Sequence, residues 1–142
     1  MANIIPFAFR GELFSGTHNF ASSGDSFKIA LYTSIAAFST ASTTYITTNE
    51  VLGSAPGYTT GGQVLGSQAV ASGTAVASVD FADSSLANAT FSAAGAAIYN
   101  DDKSDKLCVV LDFGGSKTAT NGTFTIAFPD PSTPANAIIS MS

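Results

Sequence analysis

Charge is what this chain has least of. Only 11% of its 142 residues are Asp, Glu, Lys or Arg, less than half the usual share of about 25%. The five cations, Arg10, Lys28, Lys103, Lys106 and Lys117, are scattered through a chain of net charge -5. Nucleic acid is held by clustered cations that neutralise phosphates, so direct nucleic-acid binding is not expected. Trp, the strongest side chain for stacking on sugars, is absent. Cys108 is the single cysteine, which excludes an intrachain disulfide and a cysteine-ligated zinc site. It sits in the apolar run Leu107-Cys108-Val109-Val110-Leu111 and reads as a small core residue. No run approaches the 18 or so apolar residues of a membrane span, and MANIIPFAFRGEL has neither the basic start nor the apolar centre of a signal peptide. A soluble protein made in a cytoplasm, with no membrane partner, is therefore expected.

What is present is apolar mass and hydroxyls. Hydrophobic residues make up 45% of the chain, and Ser with Thr supply roughly a quarter. The length fits one domain, residues 1–142, able to bury a core without staples. A surface built from Ser, Thr, Asn and Ala resists association poorly, so partial cover by other subunits is expected.

Periodicity points to strands nearly everywhere after residue 20. Phe27, Ile29 and Leu31 alternate with Lys28, Ala30 and Tyr32. Thr74–Phe81 alternates likewise, with Ala75, Ala77, Val79 and Phe81 on one face. Phe91–Tyr99 alternates weakly; Gly95 and the Ile98-Tyr99 end favour strand over an alanine-rich helix. Leu107–Phe113 is the most apolar run and the expected buried strand, and Asn100–Lys106 is a polar turn. Asn121-Gly122 predicts a two-residue hairpin, because a type I′ turn needs positive φ at both positions. Phe124, Ile126 and Phe128 share the face after it. Pro129, Pro131 and Pro134 should stop that strand, and Ile138–Met141 can add an edge. Strands so short and so spaced make an all-β, antiparallel β-sandwich or barrel.

Residues 1–20 differ. Pro6 can open a short helix with Phe7, Phe14 and Leu13 on one face, Arg10 and Glu12 opposite, and Gly16 as its stop. The alternative is an extended arm whose aromatics dock on a neighbour. Residues 34–62 form a Ser/Thr/Gly-rich stretch longer than ordinary loops; a contact with a shell or a sister subunit is expected there, anchored by Phe38, Tyr45 and Tyr58.

Ionisable chemistry is thin. His18 would need a nucleophile and an orienting acid to act as a base, and no Gly-x-Ser-x-Gly elbow accompanies it; a structural role is the plainer reading. Asp80 and Asp83 can be read as an acid/base pair, but an Asp at a strand end more commonly caps the turn. Asp101, Asp102 and Asp105 offer oxygens for calcium without the glycine and distal Glu of an EF-hand loop, so a solvated turn is expected. Gly114-Gly115-Ser116 and Gly61-Gly62 lack the Lys-Ser/Thr pair of a phosphate cradle. No cofactor is expected.

Several segments occur together and in order: Phe27–Thr33, Tyr45 with Thr47-Thr48-Asn49-Glu50-Val51, Gly57-Tyr58-Thr59-Thr60-Gly61-Gly62, Ala97–Asp101, Leu111–Gly115 and Asn121–Ile126. In these the chain resembles a group of small structural proteins of tailed bacteriophages. The resemblance spans Phe7 to Phe128; Thr47–Val51 and Gly57–Gly62 are its most specific parts. It implies a virion component without catalytic motif: a decoration (cement) protein on the outer surface of the capsid, bound to the major capsid protein and homo-oligomeric. The expected assembly contacts are Phe7, Phe14, Phe38, Tyr45, Asn49, Glu50 and Tyr58. The alternative is a tail-associated or host-surface, carbohydrate-binding module using Tyr45, Tyr58 and Asn49.

Overall fold

The computed structural model describes residues 2–129, 133 and 137–142. It contains a helix, α1 (Phe7–Phe14), and strands β1 (Phe27–Tyr32), β2 (Gln63–Val64), β3 (Ala69–Ser72), β4 (Ala77–Asp80), β5 (Ser84–Asn100), β6 (Lys106–Ile126) and β7 (Ile139–Met141). A 3-10 turn, Asp101–Lys103, joins β5 to β6. The strands make two antiparallel sheets, ordered β2-β1-β5-β6 and β3-β4-β7, and neither closes into a barrel. The all-β expectation with a short N-terminal helix therefore holds, in its open form.

The alternation of β1 decides how the layers pack. Phe27, Ile29 and Leu31 face a core shared with Val79 of β4 and Ile139 of β7, with Phe9, Phe20 and Phe81 packed among them. Ala30 and Tyr32 face a second core with Ala97, Tyr99, Leu107 and Val110, closed by Ile35 and Phe38. The larger sheet is thus buried on both faces here, which is why Leu107–Leu111 reads as an unbroken apolar run. The long connection between β1 and β2 supplies the second cover. Gly62 lets it return: at φ +75, an added Cβ there would lie 1.8 Å from the Ile29 carbonyl oxygen, a position only glycine fills.

Four expectations need correction. Asn121-Gly122 is not a hairpin turn, because β6 runs straight through it and Gly122 pairs with Ala89 of β5. Asn121 does take the left-handed φ of 47, its N–H donating to Thr90 Oγ1 at 3.0 Å; on β5 Asn88 is also left-handed at φ 53, and the register shifts on either side of Ala89. Gly122 does not share that positive φ, so no type I′ turn forms, and the left-handed Asn121 serves a bulge within a long ribbon rather than a reversal. In α1, Phe9 is fully buried while Phe7 and Phe14 point outward. The inward stripe is Phe9 with Leu13 at i+4, and Arg10 lies 5.3 Å over the Phe7 ring rather than on the opposite face. Gly16 ends the helix as expected, at φ 71 with its N–H on the Leu13 carbonyl. Only Ala77–Asp80 of the Thr74–Phe81 run is strand, since the Gly73 N–H turns back to the Val76 carbonyl. The phenylalanine of that run still reaches the core through Phe81. Finally, Phe38 and Tyr58 are core residues, as described below. The expected stops at Pro131 and Pro134 lie outside the described residues; the last edge strand is present as β7.

Candidate functional site

Two polar clusters fix the chain's irregular segments to the sheet. The first gathers residues from both ends of the fold: Glu12 of α1, His18 and Asp25 from the connection to β1, Asn100 closing β5 and Lys106 opening β6. Asn100 is fully buried. Its Oδ1 accepts the Asp102 N–H at 3.1 Å, so its Nδ2 is the donor to His18 Nδ1 at 3.0 Å and to Asp25 Oδ2 at 2.9 Å. That orientation assigns the imidazole proton to Nε2, which donates to Glu12 Oε2 at 2.7 Å. The Lys106 ammonium donates to Glu12 Oε1 at 2.6 Å. Burial pulls the Glu12 carboxyl upward, but the hydrogen bonds from Lys106 and His18 and the charge of Lys106 outweigh it and hold Glu12 below the usual range. Asp25 is likewise opposed by burial and held low by Asn100, the Asn19 N–H and Lys103.

This constellation has the ingredients of acid–base chemistry without the arrangement for it. Both ring nitrogens of His18 are engaged by protein groups, and its side chain is fully buried. A general base needs a free lone pair aimed at a nucleophile; here that lone pair meets an amide donor. The neighbouring thiol of Cys108 is buried, and burial, with Glu12 and Asp25 adding to it, pushes its ionisation far up.

The second cluster centres on Glu50, whose buried carboxylate accepts Tyr45 Oη at 2.5 Å, Tyr58 Oη at 2.6 Å and the Gly61 N–H at 2.7 Å. Tyr58 Oη in turn accepts the Leu31 N–H of β1 at 3.0 Å. Tyr99 Oη donates to the Gly61 carbonyl at 2.6 Å, and Tyr32 Oη to the Ile46 carbonyl at 2.7 Å. The Tyr45 ring stacks on Tyr99, centroids 4.7 Å apart, and Phe38 meets Tyr32 edge-on at 5.0 Å. Burial, then the hydrogen bond to Glu50 and its charge, raises the phenol ionisation of Tyr45 and Tyr58 well beyond its ordinary value. The cluster is a latch: three bonds to one carboxylate fix residues 45 to 61 against β1 and β5.

The predicted assembly contacts therefore separate. Phe38, Glu50 and Tyr58 are buried and satisfied within the chain, and Tyr45 is half-buried against Tyr99. Asn49 is exposed in the left-handed region at φ 63, its carbonyl accepting the Thr33 N–H and hydroxyl. Phe7 and Phe14 are the surface aromatics, 62% and 92% exposed. Leu52, Val64, Val70 and Met141 are further exposed apolar side chains that carried no distinguishing signal in the sequence.

Three further carboxylates tie turns and strand ends together. Asp83 Oδ1 accepts the Phe128 N–H, Asp102 accepts the Ser26 N–H, and Asp101 pairs with Lys28 at 3.0 Å. Among the described residues no group of three or more His, Cys, Asp or Glu is placed to hold a metal ion, and no helix is long and apolar enough to cross a membrane. Lys28, Lys103 and Lys106 each sit on a carboxylate, so they form no basic patch. No family model matches the chain, nor does any curated protein or solved structure.

Proposed function

We propose that this chain is a non-enzymatic structural protein of a bacteriophage particle, a decoration protein seated on the outer surface of the head against the major capsid protein. The observation that carries this reading is α1. Its N-terminus is tied to the long loop through the Phe7 N–H and the Thr40 carbonyl, and Glu12 ties it to His18 and Lys106. So held, it projects Phe7 and Phe14 into solvent, where the larger part of each ring stays uncovered in the isolated chain. Burying one such side chain contributes about 1.5–3 kcal/mol, and a symmetric shell repeats that gain at every copy. The engagement of His18 and Glu50 by the fold supports a role without catalysis. The segment resemblance set out above supports the virion. The carbohydrate-binding alternative is disfavoured, because Tyr58 is buried and the Tyr45 ring face is already stacked.

Purified particles of the encoding phage should carry this chain in hundreds of copies on the head, read from band intensities of stripped particles. The double variant Phe7→Ser, Phe14→Ser should fold as the parent does and bind heads about tenfold or more weakly. A handful of copies confined to the tail, or undiminished binding by the variant, would contradict the proposal.

A further inference from the structure

The near end of β6 is closed on its outer edge by the chain itself. Ile4 exchanges two backbone hydrogen bonds with Val110, each 2.8 Å. The Leu107 N–H reaches the Thr43 carbonyl, Tyr45 donates to the Asp105 carbonyl, and Asn3 Oδ1 takes the Asp112 N–H. Beyond Phe113 this closure stops. From Lys117 to Ile126, β6 pairs with β5 on one side, and among the described residues no backbone pairs with its other side. The open stretch Thr118–Ile126 is about 30 Å long at the usual strand rise.

Open edges are ordinarily guarded by charges or proline. Here Lys117 and Pro129 stand at the two ends, and no ionisable residue or proline lies between them. The adjoining strand β5 has no Asp, Glu, Lys, Arg, His or Pro over its whole length, Ser84–Asn100. The exposed face of the ribbon is hydroxyl instead: Ser92 lies 2.6 Å from Thr118 and Ser85 3.2 Å from Thr125. Its other face buries Leu86, Ala89, Phe91, Ala119, Phe124 and Ile126.

We propose that this edge pairs, antiparallel, with the same edge of a second copy of the chain. Charge selects that partner. Each copy carries net charge -5, so two copies repel wherever their acidic groups meet, whereas this edge brings no like charges together. Antiparallel self-pairing is isologous and closes at two copies. It also sets the hydroxyl face of one ribbon beside that of the other, and the apolar face beside the apolar face. The interface is distinct from α1 and does not depend on the virion reading.

The test is the mass of the purified chain by light scattering, with hydrogen exchange at low and high concentration. The parent should be a dimer whose Thr118–Ile126 amides gain about tenfold protection as concentration rises through the dissociation constant. Thr120→Glu with Thr123→Glu, both on exposed positions, should weaken the dimer about tenfold or more, while Phe14→Ser should leave it intact. A monomer at every concentration, or a dimer broken by Phe14→Ser and untouched by the glutamates, would overturn the proposal. If the chain is a monomer that still coats phage heads, self-pairing fails and the decoration role stands. If it dimerises and never enters a particle, the reverse holds.

Discussion

The two halves of the β5–β6 ribbon obey different rules. In the near half, Gly95–Asn100 beside Lys106–Leu111, both faces are covered and the outer edge is capped by residues 3 to 4 and 43 to 45. The far half, Ser84–Ala93 beside Lys117–Ile126, buries one face and shows alternating small polar and apolar residues. The same pair of strands is thus a core element at one end and a presented surface at the other. The register shift between Ala93 and Gly95, where β6 carries the extra residues 113–116 with Gly114 and Gly115 at positive φ, marks the passage from one to the other. Cover, not strand propensity, decides which residues each half can use.

That contrast can be broken by truncation. Ile98→Ala, in the near half, should cost about 4 kcal/mol, at the upper part of the usual range for a fully enclosed aliphatic. Ile126→Ala, on the single buried face of the far half, should cost about 2 kcal/mol. Urea unfolding of both variants reads the difference, and equal losses would erase the distinction. Next in size is the latch behind the near half. Tyr58→Phe removes a donor from Glu50 and an acceptor from the Leu31 N–H. Leaving those buried groups short should cost about 2 kcal/mol, whereas Thr33→Ala, at an exposed hydroxyl, should stay below about 0.5 kcal/mol.

A smaller effect follows from acid. Glu12 and Asp25 ionise below their ordinary values of 4.5 and 3.8 in the folded chain. Carboxyls depressed by folding contribute stability above the unfolded value and lose it as pH falls through the folded one. The urea midpoint should therefore hold from neutrality down to about the ordinary carboxylate range, then decline. Glu12→Gln should flatten part of that decline, and an unchanged slope would show that the cluster does not couple α1 to the sheet. Smallest of all, Thr118→Ala on the hydroxyl face should shift stability by no more than about 0.5 kcal/mol.

Much of the near half was legible in the chain. The alternation of Phe27–Tyr32, the apolar run from Leu107 and the polar turn after Asn100 each express cover that is present in the fold. The far half misled because Asn121 states a φ value and not a partner: a left-handed residue suits a hairpin and a bulge equally. Phe38 and Tyr58 looked like surface anchors among their Ser and Thr neighbours. Nothing local says that the larger sheet has a second face needing cover, and those rings supply it. The His18–Asn100 contact joins positions 82 apart, a separation at which neither residue advertises the other. In α1, Phe7 and Phe14 are both exposed, but Leu13, grouped with them by spacing, turns inward beside Phe9, a choice that rests on tertiary packing alone.

The most direct test of the proposed decoration role is electron cryo-microscopy of intact phage particles assembled with this chain. A decoration protein predicts repeated density for this β scaffold on the outside of the head, with α1 turned toward the shell and Phe7 and Phe14 at the contact. Density for the chain at the tail alone, no such density on the particle, or head density with α1 facing solvent would contradict it.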